Sequence, residues 1–111
     1  MKNQTTQKEY LDKFKETLDE MYEITKRKNS DYSATSEDSR AFKNFDMVEE
    51  YFDWEVTTEQ GILVRMLDKM TRIGNLLKQD VEASVADEKI TDTLEDLANY
   101  SIILKVYIDT K

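Results

Sequence analysis

The sequence predicts an all-α fold of three long helices and one short helix. The chain has no proline and only two glycines among its 111 residues, and the helix formers Glu, Lys and Leu are abundant. Few of the turn signals that a sheet protein needs are present. A chain of this length fits one hydrophobic core, so we expect a single domain over residues 1–111. Three long helices make an incomplete bundle, which we expect a second copy to complete as a homodimer or higher homo-oligomer.

The first two helices are predicted from the spacing of apolar side chains and from the turn-forming residues between them. The first helix begins after Thr6 and ends near Lys28. The stretch from Asn29 to Arg40, NSDYSATSEDSR, is predicted as a loop because Ser, Asn and Asp side chains hydrogen-bond the local backbone. A short helix follows across NFDMVEEYF, and we expect its apolar side to cover the core. That side contains Phe45, Val48 and Phe52, with Phe42 just before the helix.

The third helix is predicted from a capping box, TTEQ, in which Thr57 is the N-cap and Gln60 lies three residues later. It is predicted to continue to about Lys78. Gly61 and Gly74 lie inside it, where each costs about 1 kcal/mol relative to alanine, which indicates the close approach of another backbone. The alternative is that Gly74 ends the helix early. Helical spacing predicts a core stripe of Leu63, Met66, Met70, Ile73 and Leu77.

The last helix is predicted to follow the linker QDVEASVADE, with Ser84 or Asp87 as its N-cap. Its predicted core stripe consists of Ile90, Leu94, Leu97, Ser101 and Leu104. The opposite side is acidic and consists of Glu88, Asp92, Asp96 and Asn99. One alternative is a solvated back face. The same side later carries Ile103, Val106 and Tyr107, so we instead expect the acidic residues to line the mouth of a site.

Composition excludes several kinds of chemistry and of partner. Cysteine and histidine are absent, so there is no disulfide, no thiolate ligand and no histidine base, and any metal would be a hard ion such as Mg²⁺ held by oxygen. The formal charge of −8 argues against binding of a nucleic acid polymer. The sequence contains neither a signal-peptide pattern nor a membrane span, so we expect a cytoplasmic protein without a membrane partner.

Two charged stripes on the third and last helices carry the candidate chemistry. Arg65, Lys69 and Arg72 fall within about 60° of one another, a spacing that suits a clamp for phosphate. Asp68 lies beside them. The acidic side of the last helix has oxygens for a hard cation, with Asn99 adding a carbonyl oxygen. The alternative is that the two stripes form ion pairs with each other, or that Asp68 pairs with Arg72 one turn later.

A third candidate element stands at the predicted end of the first helix. Lys28, Asp31 and Tyr32 lie there, and the Tyr32 ring has the chemistry to stack on a base. The alternative is a tyrosine that packs over the edge of the core.

These segments resemble a family of small phage and prophage proteins described as a nucleotide-modification-associated domain. The resemblance is carried by KNSDYS with FKNF, by RMLDKMTRIGNLL and by DEKITDTLEDLANYSIIL, and it extends from about Glu16 to Ile108. It implies a phage-encoded protein of the host cytoplasm that handles nucleotides.

The last helix is also similar to the final metal-binding helix of the MazG-like all-α nucleoside triphosphate pyrophosphohydrolases. In those enzymes a Glu-x-x-Glu helix and a later Glu-x-x-Asp helix hold Mg²⁺ on the triphosphate. The residues that fall in the later motif are Asp92, Glu95, Asp96 and Asn99. The earlier motif does not match, because the third helix has Asp68 among Arg65, Lys69 and Arg72 where paired glutamates would stand. These positive charges repel Mg²⁺ and attract phosphate.

Three hypotheses follow. In the first, the chain is a non-catalytic nucleotide-binding protein that sequesters a nucleotide, a host defence signal included, or supports modified-nucleotide metabolism. Its predicted ligand contacts are Lys28, Asp31, Tyr32, Arg65, Lys69, Arg72, Asp96 and Asn99. In the second, it is a Mg²⁺-dependent nucleoside triphosphate pyrophosphohydrolase with Asp68, Glu88 and Asp92 among the metal ligands. In the third, it is an acidic helical inhibitor of a host protein. The sequence leaves open whether the acidic and basic helices face each other.

Overall fold

The computed structural model describes residues 2–33, 40–78 and 83–111, and at 29–33 and 83–88 it describes the backbone alone. This described part contains no strand, and its four helices are α1 Gln7–Ser33, α2 Lys43–Tyr51, α3 Thr58–Lys78 and α4 Ala83–Thr110. The prediction of an all-α fold with three long helices and one short helix is confirmed. Over these same ranges, no helix has the length and apolar content to cross a membrane.

The chain divides into two compact units, Met1–Ser39 and Arg40–Lys111. The first contains α1, which begins where the sequence predicts, because the Glu9 backbone N–H donates to Thr6 Oγ1 at 3.2 Å. The second contains α2, α3 and α4, with α3 packed against both of the others. That the whole chain forms a single domain stays a prediction.

Helix α1 is longer than predicted. It continues through Ser33, so the predicted loop is wrong for residues 29–33. Ser, Asn and Asp each weaken a helix by no more than about 0.7 kcal/mol, and no glycine or proline follows Lys28 to stop the helix. The remainder of that predicted loop, residues 34–39, lies outside the described residues.

The start of α3 confirms the predicted capping box. The Thr57 N–H donates to Gln60 Oε1 at 2.9 Å, and the Gln60 N–H donates to Thr57 Oγ1 at 3.1 Å. Beside this box, the Glu49 carboxylate of α2 accepts both the backbone N–H and the hydroxyl of the buried Thr58, each at 2.9 Å. A carboxylate is favourable at the positive end of the α3 dipole. These bonds tie α2 to the first turn of α3.

Gly61 and Gly74 differ in their surroundings. A Cβ added at Gly61 would lie 3.1 Å from Val48 Cγ1, so the close neighbour there is a side chain of α2 and not the backbone that was predicted. A Cβ added at Gly74 would meet no atom of the described residues within 4 Å, so the close approach predicted there is absent from this part of the chain. The alternative of an early helix end is also wrong, because α3 continues to Lys78.

The predicted core stripe of α3 is only partly right. Met66 and Ile73 are half-buried as predicted, whereas Leu63, Met70 and Leu77 are exposed. Ile62 is 0% exposed, whereas Leu63 is 48% exposed. Leu76 is likewise buried, and its neighbour Leu77 is 70% exposed. The prediction is wrong in this respect because α3 has two apolar stripes about 100° apart, and helical periodicity does not show which of them packs on α4.

The core stripe predicted for α4 is also only partly right, and the helix begins earlier than predicted. Ile90, Leu97 and Leu104 are half-buried, whereas Ser101 is exposed. Thr93 is buried, with its hydroxyl donating to the Lys89 carbonyl at 2.6 Å, and the predicted core residue Leu94 is exposed. The helix begins at Ala83, so neither Ser84 nor Asp87 is its N-cap. Because the linker before it has no glycine or proline, nothing in it opposes the longer helix.

The apolar side of α2 is partly as predicted. Phe45 and Val48 are half-buried, and the Phe42 ring meets the Tyr107 ring edge-on with centroids 5.3 Å apart. Phe52 is exposed instead, because the chain leaves α2 through a left-handed turn in which Trp54 has a φ of 67°. The contact of Phe42 with Tyr107 covers one part of the C-terminal half of α4.

The end of α4 is joined to the start of α3 by an ion pair. Lys111 Nζ lies 2.7 Å from Glu59 Oε2. The hydrogen bond from Lys111 lowers the pKa of Glu59, with the Glu59 backbone amide as the next cause, and the same bond raises the pKa of Lys111. Because the pKa of Glu59 is lower in the folded chain, the pair stabilises the fold above the ordinary glutamate pKa and loses this effect as the pH falls through the lowered value.

The substitution Lys111→Met is therefore expected to raise the pKa of Glu59 toward its ordinary value. The measurement is a carbon-13 NMR titration of the Glu59 carboxyl group. Lys105→Met is the matched control. It removes the same charge from the chain, but Lys105 pairs with Asp109 within α4 and not with Glu59. A Glu59 pKa that is the same in wild type and Lys111→Met would contradict the ion pair.

Candidate functional site

The acidic and basic helices face each other. Helices α3 and α4 pack together, and Lys69 Nζ lies 3.3 Å from Asp96 Oδ2 at the boundary between them. The two side chains are 30% and 42% exposed, so the pair contributes no more than about 1 kcal/mol. The ion pairing that the sequence allowed between the two stripes is thus present at this position.

Arg65 has an aromatic support. Its guanidinium carbon lies 5.0 Å from the centroid of the Phe45 ring on α2. A cation held over a ring gains about 0.5–1 kcal/mol at an exposed site, and the contact limits the orientations of the guanidinium plane. Arg65 itself is exposed. The arrangement therefore presents oriented N–H donors at the surface, one helical turn from Lys69.

Arg72 completes the basic stripe. It is exposed on α3, three residues beyond Lys69. Among the described residues, no carboxylate lies within 4.0 Å of the Arg65 or Arg72 guanidinium. The pair between Asp68 and Arg72 that their spacing allows is thus not formed. Two of the three cations of the stripe have no anionic partner in the part of the chain that the structure describes.

The acidic side of α4 lies beside this stripe. Asp96 and Asn99 are half-buried, and Asp92 is exposed. Asn99 already has an interaction partner. The side chain of Glu88 lies outside the described residues, so its predicted role as a metal ligand is not tested.

The described residues alone do not fit a Mg²⁺ centre. Within the ranges whose side chains are described, no three carboxylates converge on one point. The carboxylate of Asp68 is exposed, and it stands on a helix with three cations nearby. This donor set is poor in the oxygens that Mg²⁺ requires and rich in groups that bind phosphate.

The candidate residues of the first unit are known only in part. Lys28 is exposed on α1. Asp31 and Tyr32 belong to the last turn of that helix, and their side chains lie outside the described residues. The predicted stacking of a base on Tyr32 stays a prediction.

Sequence reasoning missed the contribution of α2 to this region. The sequence predicts Phe45 only as part of the apolar side of α2 that covers the core, but its ring lies beneath the Arg65 guanidinium. Glu49, which holds Thr58, was not singled out at all. No local pattern reports either contact, because both depend on how α2 crosses α3.

The chain has no match among known protein families, curated proteins or solved structures. The resemblance to the nucleotide-modification-associated family stays a prediction that depends on the quoted segments.

Proposed function

We propose that this chain binds a small-molecule nucleotide through the basic stripe of α3 and leaves it chemically unchanged. The observation that carries the proposal is Arg65, which is exposed, lies over Phe45 and has no carboxylate within ion-pair distance among the described residues. An arginine whose plane is already oriented loses less entropy when it forms a bidentate bond to phosphate. Such a group is better suited to recognition of an anion than to stabilisation of the fold.

The length of the stripe indicates a ligand with more than one anionic group. Arg65 and Arg72 are seven residues apart on one helix, which corresponds to about 10 Å along the axis. Lys69 lies between them. A ligand with two or more phosphates matches this length and can contact all three cations, so the proposed ligand is a nucleoside di- or triphosphate or a cyclic dinucleotide.

Lys69 and Asp96 have complementary roles in this proposal. Their half-exposed pair is weak, so a phosphate with two negative charges competes with Asp96 for Lys69. The released Asp96 carboxylate then accepts hydrogen bonds from sugar hydroxyls or from the N–H groups of a base. Asn99, three residues after Asp96 on the same side of α4, has both a donor and an acceptor that can contact the same edges.

The biological setting of the proposal comes from the resemblance. It supports a phage-encoded protein of the host cytoplasm that sequesters a nucleotide, a defence signal included, or that supports modified-nucleotide metabolism. The same basic residues disfavour the rival pyrophosphohydrolase, because they stand where that class needs carboxylates for Mg²⁺.

A thermal-shift screen tests the proposal. The purified chain is mixed with nucleoside mono-, di- and triphosphates and cyclic dinucleotides, each with and without Mg²⁺, and every stabilising ligand is recovered and checked for turnover. Stabilisation by an intact ligand supports the proposal, with about 2.7 kcal/mol expected at a ligand concentration of 100 times Kd. A triphosphate consumed only with Mg²⁺ would favour the pyrophosphohydrolase, and no shift with any nucleotide would overturn the proposal.

A further inference from the structure

A second apolar side of α3 is exposed in the unit formed by α2, α3 and α4. Its members follow one another at alternating intervals of four and three residues, the spacing of a helix–helix seam. We name this surface the α3 seam, and it consists of Leu63, Leu67, Met70, Gly74 and Leu77. Its four side chains are each about half exposed or more, from 48% at Leu63 to 70% at Leu77. Apolar residues lined up in this way on one helix face mark an interaction surface.

We propose that the α3 seam binds the α3 seam of a second copy of this chain, with the two helices antiparallel. The seam is nearly self-complementary when its direction is reversed. With Met70 at the two-fold axis, Leu63 of one copy lies level with Leu77 of the other. Leu67 of one copy lies within one residue, about 1.5 Å along the axis, of the level of Gly74 of the other copy. The space above Gly74, which holds no described atom within 4 Å, receives the Leu67 side chain.

The opposite, parallel arrangement is less favourable for two reasons. It would place Gly74 against Gly74 and leave a void at the seam, which costs free energy in proportion to its volume. It would also bring together the two starts of α3, where three carboxylates, Asp46, Glu49 and Glu59, lie with the two cations that pair with Asp46 and Glu59. The antiparallel arrangement separates these ends by the length of a 21-residue helix, about 30 Å.

The charge of the chain also favours this particular surface. At −8 per copy, two chains repel each other, so self-association requires a contact free of acidic side chains. The seam has no acidic side chain, and the uncharged Val64 and Thr71 lie next to it on the side of α3 that faces away from Ile62. Arg65 and Arg72 point roughly 160–180° away from the seam at 100° per residue, so they stay exposed in the dimer. The assembly and the nucleotide site can therefore be tested separately.

The first test is the mass of the chain in solution, by analytical ultracentrifugation over a range of concentrations. The wild type is expected to dimerise, and Leu67→Glu is expected to weaken the dimer by on the order of 100-fold in Kd, because each dimer then buries two unpaired carboxylates. Ile102→Glu is the matched control, since Ile102 is 45% exposed on α4, outside the seam. Circular dichroism checks that both variants stay helical. A wild type that is monomeric throughout, or a dimer equally affected by both variants, would overturn the proposal.

The second test uses the absence of cysteine from the sequence to fix the direction of the helices. Met70→Cys is expected to form a disulfide-linked dimer under mild oxidation. Leu63→Cys is expected to stay unlinked alone, because the two cysteines would be about 20 Å apart, and to cross-link when mixed with Leu77→Cys. Efficient self-linkage of Leu63→Cys would show a parallel pair and overturn the antiparallel seam.

Discussion

Ile62→Ala is expected to lower the free energy of unfolding by about 2–5 kcal/mol. Ile62 is the most buried apolar side chain among the described residues, at 0% exposure. Truncation leaves a cavity in the core on the buried side of α3. The loss is a large part of the 5–15 kcal/mol that stabilises a typical domain. Urea unfolding, followed by the circular dichroism of the helices, measures it.

Ile102→Ala is the matched control for this prediction. It removes the same atoms from a side chain that is 45% exposed, so the expected loss is about 1 kcal/mol or less. Equal losses in the two variants would mean that α3 is not oriented with Ile62 toward the core, and would favour the stripe through Leu63 that helical spacing predicts.

Arg65→Ala is expected to weaken nucleotide binding by roughly 10- to 100-fold, which corresponds to the 1.5–3 kcal/mol of a hydrogen bond to a charged group. Titration calorimetry with the most stabilising nucleotide of the thermal-shift screen measures the change. Phe45→Leu keeps the charge and removes the ring, so a smaller loss of several-fold is expected from it. The loss of affinity in Phe45→Leu measures what the orientation of the guanidinium contributes, and the larger loss in Arg65→Ala also includes the contact to phosphate.

Arg40→Ala is the control for net charge in this experiment. Arg40 is an exposed arginine of the same unit, and it pairs with Asp46 at 2.6 Å. Its loss changes the total charge by the same amount as the loss of Arg65, but it is expected to leave the affinity nearly unchanged. Unchanged affinity in Arg65→Ala would show that Arg65 does not contact the phosphate. Equal losses of affinity in the two arginine variants would show that only the net charge of the protein matters.

Asp92→Asn is expected to weaken nucleotide binding only slightly, whereas it would abolish the activity of a Mg²⁺-dependent hydrolase.

How much of the candidate site follows from the sequence depends on the range of each interaction. The basic stripe of Arg65, Lys69 and Arg72 was predicted correctly as one side of one helix, because residues three and four apart on a helix are neighbours. The partner of each cation was not predictable. Lys69 pairs with Asp96 and Arg65 lies over Phe45 because of the way that α3 packs on two other helices.

The sequence by itself determined the all-α class, the capping box at Thr57 and, to within one residue, the bounds of α2 and α3, because these depend on propensities and hydrogen bonds within a few residues. The predicted end of α1 and the predicted start of α4 were wrong, because the weak preferences of residues such as Ser, Asn and Asp did not stop either helix. Only the tertiary structure decided that Ile62 and Thr93, and not Leu63 and Leu94, face the core. The physical reason is that α3 carries two apolar stripes of similar strength, and only the helices packed around it select between them.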